Sequence, residues 1–243
     1  MRFALPLIAL ASLSACGGGG DAGGNGSAAA PVANVAAPAG QKWTDMVAVT
    51  PEGGYRIGNP DAAVKLVEYG SRTCPTCGAS GREGNEPLIN NYVSTGKVSF
   101  EFRDFAIHGA PDLAAAVLGR CNGTATFFPL LEAMYQDQAA TLDRMQALPQ
   151  AEQARLQSIP PLQAVSAWAD AAGYVDFVKQ RGVPEAKARQ CLADQNLLQQ
   201  VVKITEDGGS VVTGTPTFLI NGEKVENALS WPQVEAALKA AGA

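Results

Sequence analysis

Val64-Lys65-Leu66-Val67-Glu68-Tyr69-Gly70-Ser71-Arg72-Thr73-Cys74-Pro75-Thr76-Cys77 sets a close pair of cysteines directly behind a short apolar run. The run is entered through Gly58-Asn59-Pro60-Asp61 and left through Gly70-Ser71, which predicts a buried strand over Val64–Tyr69. The cysteines then fall where a strand gives way to a helix N-terminus. Free amides and the helix dipole at that end favour a thiolate, so a sulfur placed there both attacks and leaves readily. Cys74 is the exposed candidate, and Cys77, three positions on, faces inward and opens or closes the disulfide. The same spacing is also half of a zinc site. With no second CxxC and with His108 as the sole histidine, redox chemistry is the stronger reading, a structural disulfide the weaker one, and no metal or organic cofactor is expected.

Downstream, Leu88, Ile89, Tyr92 and Val93 predict a helix from Cys77 to about Thr95. Gly78, Gly81 and Gly84 each cost about 1 kcal/mol relative to alanine, which predicts an irregular first segment, and Pro87 should kink or restart the helix. Val98-Ser99-Phe100-Glu101-Phe102 alternates as a second strand. Residues 113 to 206 favour helix throughout, with Ala139 to Pro161 the least defined part, and contain no convincing strand. Thr215 to Ile220 and Glu223 to Val225 flank Asn221-Gly222, the signature of a hairpin with a tight turn. Ser230 caps a last helix with Trp231, Val234 and Leu238 on one face. The expected class is α/β.

Of 243 residues nearly half are hydrophobic, enough for a sizeable core, and the formal charge of -5 is spread along the chain. No basic stripe exists for phosphates, which argues against nucleic acid as a partner. Arg2 precedes an apolar stretch from Phe3 to Leu13, too short to span a bilayer, which reads as a signal peptide. Leu13-Ser14-Ala15-Cys16 resembles a bacterial lipobox, with Cys16 as the lipidation site; the alternative is an ordinary cleaved signal. Residues 17–42, rich in Gly and Ala, read as a flexible tether. Setting Cys16 aside leaves four cysteines, so Cys121 and Cys191 are free to form a structural bridge in an oxidising compartment, or to stay buried and unpaired.

Glu68-Tyr69-Gly70-Ser71-Arg72-Thr73-Cys74-Pro75-Thr76-Cys77 together with Gly214-Thr215-Pro216-Thr217-Phe218 resembles the DsbA-like branch of the thioredoxin superfamily, over about Tyr55 to Lys239. The resemblance implies a thioredoxin fold with an inserted helical domain: a first part over 43–112, the insertion over 113–206 and a second part over 207–243. It implies a cis peptide at Pro216, and a substrate site made of Pro75, Thr76, Thr215 and Pro216 that pairs with extended chains strand-fashion. It makes Glu68 the proton acceptor for Cys77; by its position alone Glu68 could equally be an exposed strand-end carboxylate. The partners implied are exported proteins bearing thiols or disulfides and a membrane redox partner, for a monomeric lipoprotein of the periplasm. Thr76 stands where DsbA-type oxidases carry histidine, which implies weaker oxidising power, and Thr215 equally suits isomerases. Oxidation of substrates is the first expectation, with reductase or isomerase, or a peptide-binding adaptor with only structural disulfides, as the alternatives. His108 is expected to be a packing residue.

Overall fold

Burial alternates over Val64–Glu68 of the strand Val64–Gly70, so Val64, Leu66 and Glu68 point into one core while Lys65 points out. This strand, β3, is central in the computed structural model, which describes residues 29–243. It pairs in parallel with β4 (Val98–Asp104) and antiparallel with β5 (Thr217–Ile220). The sheet continues through β2 (Tyr55–Gly58) to β1 (Val47–Val49) on one side and to β6 (Glu223–Lys224) on the other, in the order β1-β2-β4-β3-β5-β6. The β5–β6 turn is made by Asn221 and Gly222, both at positive φ (53° and 89°), which an Asn-Gly pair adopts readily. Strands β1 and β2 are additions to the expected set. They are short, and the Pro51-Glu52-Gly53-Gly54 turn between them masks their pattern.

Helix α1 (Pro75–Pro87) starts at the cysteine pair and is regular through all three of its glycines. The expected irregular first segment is therefore corrected. A Cβ on Gly78 would collide with Gln138, on Gly81 with the Tyr135 ring and on Gly84 with Trp231. The glycines form a stripe that lets bulky neighbours approach the helix backbone, and that packing offsets their poor propensity. Irregularity begins instead at Pro87, as a π turn over Leu88–Tyr92 and a 3-10 turn over Val93–Thr95.

Eight helices follow β4: α2 (Ala110–Arg120), α3 (Phe127–Gln136), α4 (Gln138–Gln146), α5 (Gln150–Ser158), α6 (Pro161–Ala171), α7 (Tyr174–Lys179), α8 (Glu185–Ala193) and α9 (Gln195–Gly208). They enclose a second core around Leu118, Ala164, Val178, Leu198 and Val201. Helix α3 belongs to both cores. Its Leu130 and Met134 face the helical core, whereas Phe127, Leu131 and Tyr135 join β3, β4, α1 and the last helix α10 (Trp231–Ala240). Cys121, at the end of α2, is bonded to Cys191 of α8, with Cα atoms 5.7 Å apart.

Part of the expected tether is packed. Ala29 and Val32 donate backbone hydrogen bonds to Ala240 and Gly242, Val35 bonds to Thr95, and Trp43 Nε1 donates to the Val35 carbonyl at 2.7 Å. A flexible tether over 17–42 is thus corrected from residue 29 onward: these backbone bonds tie the stretch down, and Val32 lies against the sheet core. The signal segment and Cys16 lie outside the described residues.

Candidate active site

Cys74 is the N-cap of α1, and its sulfur accepts from the backbone amide of Cys77 at 3.4 Å. Pro75 fills the first helical position, where its missing N–H costs nothing, and Pro75 and Thr76 stand exposed beside the sulfur. The two cysteines are unbonded thiols and both are buried, Cys74 at 7% exposure and Cys77 completely, so the expectation of an exposed Cys74 is corrected: the sulfur lies under the 215–216 loop. Hydrogen bonding from Cys77 first, against the opposing effect of burial, then from Thr215 and from the amides of Cys77 and Thr76, brings the Cys74 thiol down to about 5. Cys77 is fully buried, and burial followed by the hydrogen bond to Cys74 and the charges of Glu68 and Cys74 pushes its thiol well up. One sulfur is held as a thiolate and its neighbour as a thiol.

The Thr215–Pro216 peptide is cis. The Thr215 carbonyl oxygen lies 3.3 Å from Cys74 Sγ, placing this loop directly over the reactive sulfur. Residues 213–217 and 224–229 line an open groove of about 310 Å³ alongside, with Leu229 exposed at its rim.

Glu68 is buried on β3, opposite Phe102 of β4 and Phe218 of β5. Desolvation first, then the Cys74 charge, raises its carboxyl to about 8, and its Oε1 has no hydrogen-bond partner in the protein. A cavity of about 10 Å³ touches Glu68 together with Ser80 and Asn85, room for a single water. The Glu68 charge contributes to raising Cys77 while Glu68 itself responds to Cys74, so the core side of the pair holds a carboxyl that gains and loses its proton near neutrality.

Polar residues missed in the sequence hold the loop before Cys74. Gln138 Nε2 donates to the carbonyls of Arg72 and Cys74 at 3.0 and 2.9 Å. Arg72 and Arg120 each donate through Nε to Asp104, at 2.7 and 2.8 Å, all three being buried. Burial alone would raise the Asp104 carboxyl, but the two guanidiniums outweigh it and hold it below the usual carboxylate range. Both arginines also lie over the Phe127 ring. Asp112 receives hydrogen bonds from Ser71 and Thr73. His108 is not the packing residue expected of it: its half-exposed ring sits 2.8 Å from Thr73 Oγ1. Only the Ser71-Arg72-Thr73 segment beside the cysteines hinted at these partners; Asp104, Asp112, Arg120 and Gln138 carry no local signal. The Cys121–Cys191 bridge belongs to the helical layer and takes no part in the contacts around Cys74.

Residues 50–240 match the family described as thioredoxin. The chain belongs to that family. Among thioredoxin-family relatives, a Rickettsia bellii protein named as a protein-disulfide oxidoreductase is 26% identical over 176 residues, covering 70% of this chain and 58% of its own length. A Rickettsia prowazekii protein of the same name is 27% identical over 177 residues, covering 70% and 55%. The chain thus spans little more than half the length of these curated relatives. Among solved structures, a protein-disulfide isomerase from Novosphingobium aromaticivorans is 27% identical, with a TM-score of 0.72 over 76% of this chain and 95% of that one. Wolbachia pipientis alpha-DsbA1, 19% identical with a TM-score of 0.60 over 78% and 90%, shares the thioredoxin-family fold with its added helices.

Proposed function

We propose that this chain is a thiol-disulfide oxidoreductase that exchanges disulfides with exported proteins through Cys74 and Cys77. The observation that carries the reading is the asymmetry of the pair, an acidic sulfur at a helix N-cap beside the Thr215-Pro216 loop and a buried, proton-retaining sulfur behind it. In the oxidising direction a substrate thiolate attacks Cys74 Sγ of the disulfide, the S–S bond breaks, and its electron pair leaves on Cys77. Glu68, protonated near neutrality, supplies a proton to that sulfur, directly or through one water. A second substrate thiolate then attacks the substrate's own sulfur in the mixed disulfide and releases Cys74 as a stabilised thiolate. The substrate is oxidised by two electrons and the pair is reduced; a membrane redox partner that accepts those electrons resets it.

Oxidation is favoured because a stabilised Cys74 thiolate makes the reduced pair the more stable state. The structural relative titled as an isomerase supports a second reading, in which the same chemistry reshuffles or reduces disulfides. The Arg2–Cys16 segment supports export and anchoring by lipid at Cys16, facing the periplasm. Trapping tests the exchange reading: Cys77→Ala should accumulate mixed disulfides with exported proteins through Cys74. Absence of such adducts would leave a peptide-binding adaptor instead. The equilibrium potential against glutathione then separates oxidant from reductant, each 30 mV or so shifting the two-electron balance tenfold.

A further inference from the structure

A polar cluster at the head of α1 has no part in the exchange steps above. Asp112, buried in the first turn of α2, accepts through Oδ1 from Ser71 Oγ and from Thr73 Oγ1, both at 2.7 Å. Its Oδ2 accepts from the His108 backbone amide at 2.8 Å. The His108 ring closes the cluster, with Nδ1 2.8 Å from Thr73 Oγ1 and 3.3 Å from Asp112 Oδ2. Ser71 Oγ also accepts from the Cys74 amide at 3.0 Å, so the cluster is tied to the reactive residue itself.

Proton counting fixes the imidazole. Thr73 has one hydroxyl proton and gives it to Asp112, so Nδ1, facing a spent hydroxyl and a carboxylate, must be a donor. Nδ1 keeps its hydrogen, and the nitrogen that titrates is Nε2 on the half-exposed edge of the ring. The charged groups facing it are Asp112 and Cys74: the Asp112 hydrogen bond raises its proton affinity, burial opposes, and the charges of Asp112 and Cys74 add to the rise.

We propose that His108 is a positioning residue for thiol exchange, whose imidazolium balances the Asp112 carboxylate beside Cys74 and whose protonation follows the redox state of the cysteine pair. The inference rests on the reading of Cys74 as the reactive thiolate. Asp112 holds the loop through hydrogen bonds from Ser71, Thr73 and the His108 amide, and the His108 charge offsets its own. When a dithiol substrate delivers two electrons to the Cys74–Cys77 bond, Cys77 takes up one proton and Cys74 remains an anion. That anion holds the proton on His108, and by linkage the imidazolium favours the anion by the same factor. In the disulfide the anion is gone and the proton is held less tightly.

His108 is the only histidine of the chain, so a single imidazole signal reports on it. Its titration is followed by NMR in the intact oxidised protein and after a reduction mild enough to leave Cys121–Cys191 bonded. The midpoint should lie higher in the reduced protein. His108→Gln, which can keep the Thr73 hydrogen bond but not the charge, should lower the thiolate fraction and alkylation rate of Cys74 below its midpoint about threefold, the size of a partly exposed charge pair. Equal His108 midpoints in the two redox states, with Cys74 still acidic, would overturn this inference alone. A Cys74 that titrates as an ordinary thiol would overturn the exchange reading with it.

Discussion

The sulfur of Cys74 accepts a hydrogen bond from the backbone amide of Cys77 at 3.4 Å, so one member of the pair caps the helix in which the other is buried. A thiolate at Cys74 exists only in the reduced pair, which ties the pH dependence of stability to the redox state. The Cys74 thiol falls from an ordinary 9.0 to about 5 in the folded protein, so the stabilisation it contributes is present above the unfolded value and is lost as pH falls through 5. Reduced minus oxidised stability, measured by denaturant unfolding, should therefore shrink by about 2 kcal/mol between pH 7 and pH 4, after allowance for the solvent that reaches this sulfur. A gap independent of pH would contradict the origin given for it.

Glu68 works in the opposite sense. Its folded value of about 8 lies above the ordinary 4.5, so the folded state binds the extra proton and stability falls as pH rises between the two. The cost at pH 7 is about 3 kcal/mol. Glu68→Gln should thus stabilise the reduced protein at pH 7 and leave it unchanged at pH 4, while slowing tenfold or more the reverse step, in which Cys77 gives its proton to Glu68 and releases the mixed disulfide. Urea unfolding at the two pH values and a stopped-flow release assay check both halves.

Asp104 is the sole acceptor for the Nε atoms of two buried arginines. Asp104→Asn removes the compensating charge and should cost about 3–5 kcal/mol, read as a shift of the urea midpoint. A loss below about 1 kcal/mol would mean that Arg72 and Arg120 find water instead.

Gly81→Ala pits propensity against packing. Alanine gains about 1 kcal/mol in a helix, but its Cβ would lie 2.5 Å from Cδ2 of Tyr135, whose ring is 1% exposed and closed in on every side. Overpacking of this kind costs about 1–3 kcal/mol, so the variant should be less stable than the native chain.

The sequence reading reached the central strand, the cysteine pair, the turn at Asn221-Gly222 and the capped last helix, because each rests on a local pattern: an apolar run, a fixed spacing, a turn dipeptide or a cap. In sequence the glycines of α1 look like breakers because their purpose lies in Gln138, Tyr135 and Trp231, distant in sequence and brought close only by α3, α4 and α10. The same holds for Asp104, Arg120, Asp112 and Gln138, whose partners are set by tertiary packing. No nucleophile neighbours His108 in sequence, whereas the β4–α2 connection carries it to Thr73, the residue before Cys74. Among the described residues no helix is long and apolar enough to cross a membrane.

The central claim is that Cys74 is held ionised by hydrogen bonding, first from the Cys77 side chain and then from Thr215 and the amides at the head of α1. Following the ultraviolet absorbance of its thiolate against pH in the reduced native protein measures this directly, since Cys77 ionises only at much higher pH. A midpoint near pH 5 is predicted, and one near the ordinary 9.0 would contradict the account.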